Sequence, residues 1–219
     1  MPITRKLVAV LFVLFTLAVI KPAKADSVIT LASASTAADS SQTNSNGPNV
    51  AIAPNSNWAS ALPGSSWVSF APTGDDTASN FVTVANGTVV SFYDTFTLAG
   101  PATSGTLSVM ADDSATVLLN GVQLIGETLA NNTYAICSDF GVGCLQPTVL
   151  DLPVSLLKTG ANTLEFEVAQ RAGDSFGLDF LGSITDPVNT PEASSGAFLT
   201  LALLGLALFG FSRKSAGTV

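Results

Sequence analysis

Residues 88–98 read TVVSFYDTFTL. Val90, Phe92, Phe96 and Leu98 fall on one side at a period of two, with Ser91, Tyr93, Thr95 and Thr97 on the other. That is the pattern of a strand with one face in a core and one in water. Asp94 falls on the apolar side, so it requires a rim position or a hydrogen-bonding partner. Working outward, short strands are expected at 107–110, 115–119 and 122–125. The last two are joined by Asn120-Gly121, a two-residue hairpin turn whose members both tolerate positive φ. Residues 163–170 alternate Leu164, Phe166 and Val168 with Glu165, Glu167 and Ala169, and 176–184 set Phe176, Leu178 and Phe180 against Asp179. On the other flank, 28–31 and 67–70 read as strands, and 26–49 is a Ser/Thr/Asn-rich start. Between the two ends of the chain no segment has helical periodicity. The fold expected is all-β, a jelly-roll-like β-sandwich of about nine to eleven strands.

The two ends are of another kind. Arg5 and Lys6 precede an apolar run from Leu7 to Ile20, and Ala23-Lys24-Ala25 forms an A-x-A site. This is a secretory signal peptide, residues 1–25, with cleavage expected between Ala25 and Asp26. At the other end Thr190, Pro191, Glu192 and Ala193 lead into an uncharged run that closes at Ser212, before Arg213 and Lys214. At about 1.5 Å per residue that run spans roughly 30 Å, one hydrocarbon core, which predicts a transmembrane helix over about 194–212. Arg213 and Lys214 stand where cytoplasmic charge is expected, placing residues 26–186 on the far side of the membrane. The domain organisation is thus 1–25, 26–186 and 187–219.

Trimming the ends changes the charge. Of the eight basic residues only Lys158 and Arg171 lie within 26–186, against fifteen acids, a formal charge of −13. Nucleic acid is excluded as a partner, because binding it requires Lys and Arg to neutralise phosphates; a divalent cation or a neutral sugar fits better. Cys137 and Cys144 are the only cysteines. In an oxidising compartment they are expected to form a structural disulfide.

The order Pro-Glu, short apolar helix and terminal basic pair resembles the PEP-CTERM sorting signal of exosortase substrates, with Ala193 where that family has a second proline. The resemblance implies that the tail is a transient anchor, cut near Pro191 and Glu192 by a membrane-embedded, transpeptidase-like cysteine protease that releases the protein toward the cell surface. The other reading is a plain C-terminal membrane anchor. Within the exported part, 111–121 (ADDSATVLLNG) and 156–164 (LLKTGANTL) resemble the Asp-rich turn with its hairpin and the penultimate connection of galactose-binding-like and PA14-like jelly rolls.

No histidine is present. Ser-His-Asp and Cys-His catalysis and the usual histidine zinc sites are therefore excluded. No Gly-rich phosphate loop is visible, and the remaining carboxylate chemistry cannot be assigned to two acids from spacing alone. The chain reads as a non-enzyme. Asp112-Asp113 either donates carboxylates to Ca²⁺, as the PA14-like resemblance implies, or forms a turn that caps backbone N–H groups; the pair Asp75-Asp76 is the other acidic pair that could donate to Ca²⁺. Trp58, Trp67 and Tyr93 are the side chains able to stack on sugar rings. Trp67 is expected in the core, and Trp58, in the loop 54–63, as the exposed ligand-binding platform. The function expected is that of an exported envelope or extracellular-matrix protein, structural or adhesive beside exopolysaccharide. The alternative is a membrane-anchored carbohydrate- or Ca-binding module.

Overall fold

The computed structural model describes residues 24–34, 42–43, 47–127, 141–171 and 173–189. Residues 1–23 of the expected signal peptide, the expected sorting motif with Arg213 and Lys214, the predicted transmembrane helix and Cys137 lie outside them, whereas Ala25 and Asp26, at the expected cleavage position, lie within β1 (Lys24–Ala32). Two compact units are distinguished, one of them residues Asp26–Pro187 and the other the two ends of the chain.

The strands, in chain order, are β1 (Lys24–Ala32), β2 (Gln42–Thr43), β3 (Gly47–Pro48), β4 (Val50–Ala51), β5 (Val68–Ser69), β6 (Val89–Leu98), β7 (Ser104–Asp112), β8 (Ser114–Leu119), β9 (Val122–Ile125), β10 (Thr148–Asp151), β11 (Gly160–Ala169) and β12 (Gly177–Asn189). No helix occurs among the described residues, and none long and apolar enough to cross a membrane. The strands form two six-stranded sheets. Sheet A has the order β10-β7-β12-β5-β4, with β1 also paired to β12, and sheet B the order β3-β2-β6-β11-β8-β9. From β6 onward the chain passes repeatedly from one sheet to the other, and every pairing of described register is antiparallel. This is the all-β sandwich that the alternation predicts.

The alternation also fixes which faces meet. Phe92 and Phe96 of β6, Leu164, Phe166 and Val168 of β11 and Val117 and Leu119 of β8 point from sheet B onto Leu107 and Val109 of β7 and Leu178, Phe180 and Ile184 of β12. Phe166 and Phe180 stack across the gap with centroids 4.5 Å apart. Burial of these side chains is the main driving force, about 1.5–3 kcal/mol each. Asp94, opposite Leu164, is buried and has an interaction partner. At the β8–β9 turn Asn120 and Gly121 adopt φ of 52° and 79°, as a type I′ turn requires. The Asn120 amide further donates to the Leu156 carbonyl and to Asn162. Those bonds tie the 156–164 connection to the hairpin, so the two stretches that resemble jelly-roll connections are neighbours.

Sequence reading finds one layer too few. Trp67, which immediately precedes β5, and Val68, its first residue, are adjacent in extended chain, hence on opposite faces, and both are buried. Sheet A therefore has a second covered face. Trp58, Trp67, Met110 and Cys144 form a separate apolar cluster there, with Ile52, Ala59 and Leu62 packed around it.

Candidate functional site

Three places gather the sequence-predicted residues. The first is the end of the sandwich where β7 passes into β8. Asp112 and Asp113 are both buried there. The Asp113 carboxylate accepts the Arg171 N–H at 2.5 Å, and its own N–H donates to the Ala169 carbonyl at 3.3 Å. Arg171 in turn grips Glu127 with a bidentate pair, Nε to Oε1 at 2.5 Å and Nη2 to Oε2. Glu127 also accepts from Ser114 Oγ at 2.9 Å. Next to this cluster Gln170, Ser175, Asn55 and the Gly74 carbonyl form a chain of buried hydrogen bonds. Burial pushes the Asp112 carboxyl up to about 9; the adjacent Asp113 charge and hydrogen bond add to this, while a hydrogen bond with Trp58 opposes it. Asp112 is therefore a neutral acid at pH 7, held among groups that are already paired.

A calcium site would need more than this pair: Ca²⁺ takes six to eight oxygens, several of them ionised carboxylates. Among the described residues no group of three or more His, Cys, Asp or Glu could hold a metal. The Asp113 carboxylate caps the Arg171 N–H. Asp75 does the same work in its own turn, accepting from Thr77 N at 2.9 Å and Thr77 Oγ1 at 2.6 Å, bonds that lower its pKa. Beside it a groove of about 310 Å³ runs between residues 50–53 and Pro72, Gly74, Ala78 and Asn80.

The second place corrects an expectation. Trp58 is no exposed platform: it is 8% exposed and lies against Trp67 with centroids 4.4 Å apart. Its ring also covers Gly177, where a Cβ would stand 3.0 Å from the Trp58 ring carbons. The loop is polar in composition, which suggests exposure, but it is the lid of the second cluster. Asp179, on the same face of β12, pins that lid. Its carboxylate accepts Ser33 Oγ at 2.8 Å, Ser65 Oγ at 2.5 Å and Leu62 N at 2.8 Å. The signal in the sequence is Trp67 beside Val68: two large apolar side chains in succession leave neither side of an extended segment for water. Trp67 is in the core as expected, its Nε1 donating to Ala59 O at 3.0 Å. Cys144 is buried in this cluster, and among the described residues no cysteine is free.

The third place is the outer face of sheet B. Of the three stacking candidates, Tyr93 alone is not buried. The register puts Glu165 of β11 between Tyr93 of β6 and Leu118 of β8, and Glu167 between Ser91 and Thr116. The Tyr93 phenol donates to Glu165 Oε1 at 2.8 Å, and its pKa is raised, by desolvation first and then by that bond.

No family model matches the sequence, and no curated protein matches it. Among solved structures, the chain is similar to a Streptomyces avermitilis α-L-rhamnosidase complexed with L-rhamnose (21% identity, TM-score 0.42), over 67% of this chain and 14% of that one. It is also similar to a family 35 carbohydrate binding module from Clostridium thermocellum (14% identity, TM-score 0.37), over 72% of this chain and 97% of that one. A family 35 module from an environmental isolate gives 18% identity and a TM-score of 0.30, over 62% and 93% of the two chains. This chain thus spans about a seventh of the rhamnosidase and nearly the whole of the Clostridium module.

Proposed function

We propose that the chain is an exported surface or extracellular-matrix protein, in which residues 26–186 form the working domain and the tail is a sorting signal of the exosortase type. The observation that supports this best is the extent of the compact unit, Asp26–Pro187, which begins at the expected signal cleavage position and ends just before the Pro191-Glu192 motif. Cleavage at both signals would release that unit whole, with fifteen acids and two bases. Its role is structural or adhesive beside exopolysaccharide, and a Cys137–Cys144 disulfide closes its 137–144 loop. The partner at the membrane is an exosortase-like protease that acts on 190–193.

The test is the intact mass of the protein recovered from its host, separately from membrane and from medium. A released species that starts at Asp26 and ends within 190–193 is expected. A species that keeps Arg213 and Lys214 and occurs only in membrane would replace the sorting reading with a permanent anchor. A second function is favoured by the open face of sheet B, where Tyr93 stands among hydroxyls and carboxylates: contact with a glycan.

A further inference from the structure

We infer that the outer face of sheet B binds a neutral polysaccharide chain, with Tyr93 as the stacking platform and Glu165 and Glu167 as acceptors for sugar hydroxyls. The inference rests on the glycan-contact reading above and gives it a site. Sheet B spends one face on the core, and the other presents half-exposed side chains in cross-strand rows: Ser91, Glu167 and Thr116 in one, Tyr93 and Glu165 in the next, Thr95 and Thr163 in a third. Neighbours in a row stand about 4.8 Å apart and rows about 6.7 Å apart, the scale of a sugar ring and its substituents.

The chemistry of the rows selects the partner. An aromatic ring offers an apolar face to the axial C–H groups of a pyranose. Tyr93 is already held by its phenol at 2.8 Å from Glu165, so little rotamer freedom remains to be lost on binding. Ionised carboxylates only accept hydrogen bonds, and each has about four lone-pair sites, so Glu165 keeps capacity beyond the phenol. Sugar hydroxyls supply donors to match, and Ser91, Thr116 and Thr163 both donate and accept. No Lys or Arg lies on β6, β8, β9 or β11, and Arg171, just past the end of β11, is already paired with Glu127, so no unpaired cation on these strands offsets the charge of an anionic polymer. A neutral chain meets no such repulsion.

The experiment is native affinity electrophoresis of the full chain in a non-ionic polyoxyethylene detergent, through gels containing mixed-linkage β-glucan, galactomannan, xylan or amylopectin, with alginate as the anionic polymer. Retardation by at least one neutral polymer and none by alginate is expected. Tyr93→Ala should weaken that retardation about tenfold, the equivalent of 1.4 kcal/mol. Glu167→Gln should weaken it severalfold and carries the test if Tyr93→Ala fails to fold. Thr106→Glu, on the outer face of the opposite sheet, should change nothing. Retardation by a neutral polymer that both Tyr93→Ala and Glu167→Gln leave intact would overturn the site while sparing the glycan reading. No retardation by any neutral polymer would overturn both.

Discussion

Asp112 shows how a residue visible in the sequence can take a role the sequence does not name. Adjacent aspartates at a strand junction suggest either metal ligation or capping, and the choice depends on burial and on the Arg171 backbone N–H, 58 residues away along the chain. Asp113 caps that N–H, and burial leaves Asp112 with a folded-state pKa near 9 against an ordinary 3.8. The sign follows from linkage. Between these values the unfolded chain has released the proton and the folded chain retains it, so the contribution of Asp112 to folding stability is fully present below pH 3.8 and is lost as pH rises toward 9, by at most about 1.4 kcal/mol per pH unit. Asp112→Asn keeps an acceptor for Trp58 and a donor toward Asp113 but does not titrate. Thermal melts of both proteins from pH 4 to 9 should therefore diverge, the variant gaining on the wild type as pH rises. Parallel curves would mean that Asp112 ionises normally in the folded protein.

At the scale of elements, the long strands were legible and the cover on sheet A was not. β6, β8 and β11 carry a clean period of two because each has one face in the core and the other in or near water. β2, β3 and β4 have two residues each, too few for any period, and β10 places Val149 outward at 66% exposure, which breaks the pattern that would reveal it. The loop 52–66 contains Asn, Ser and Pro, and its Trp58 reads as exposed until β5 is seen to be buried on both faces. Trp58→Ala would strip the lid from Trp67 and Met110 and remove the bond to Asp112. A buried Trp→Ala change costs about 3–5 kcal/mol. For a domain of this size that is roughly a 10 °C fall in melting temperature. A melting temperature unchanged by the substitution would restore the exposed platform that the sequence alone suggests.

For the whole molecule, charge is the property best read from the sequence, since it needs no contacts. Fifteen acids and two bases on residues 26–186 leave a strong excess of one sign, and Arg171 is already paired with Glu127. Like charges on one compact body repel, so at low ionic strength the folded state is destabilised relative to the expanded chain. Salt shortens the Debye length from about 30 Å at 0.01 M to about 3 Å at 1 M and removes most of that repulsion between exposed groups. Melting temperature should rise by several degrees as NaCl is raised through this range. The same measurement separates screening from calcium binding. A site that holds Ca²⁺ only when folded would add stability as RT ln(1 + [Ca²⁺]/Kd), on top of screening. With Asp113 engaged by Arg171 N–H and Asp112 neutral, CaCl₂ at millimolar concentration should do no more than NaCl of matched ionic strength. An excess stabilisation by Ca²⁺ would mean that the β7–β8 corner rearranges around the ion, and that its aspartates are ligands rather than caps.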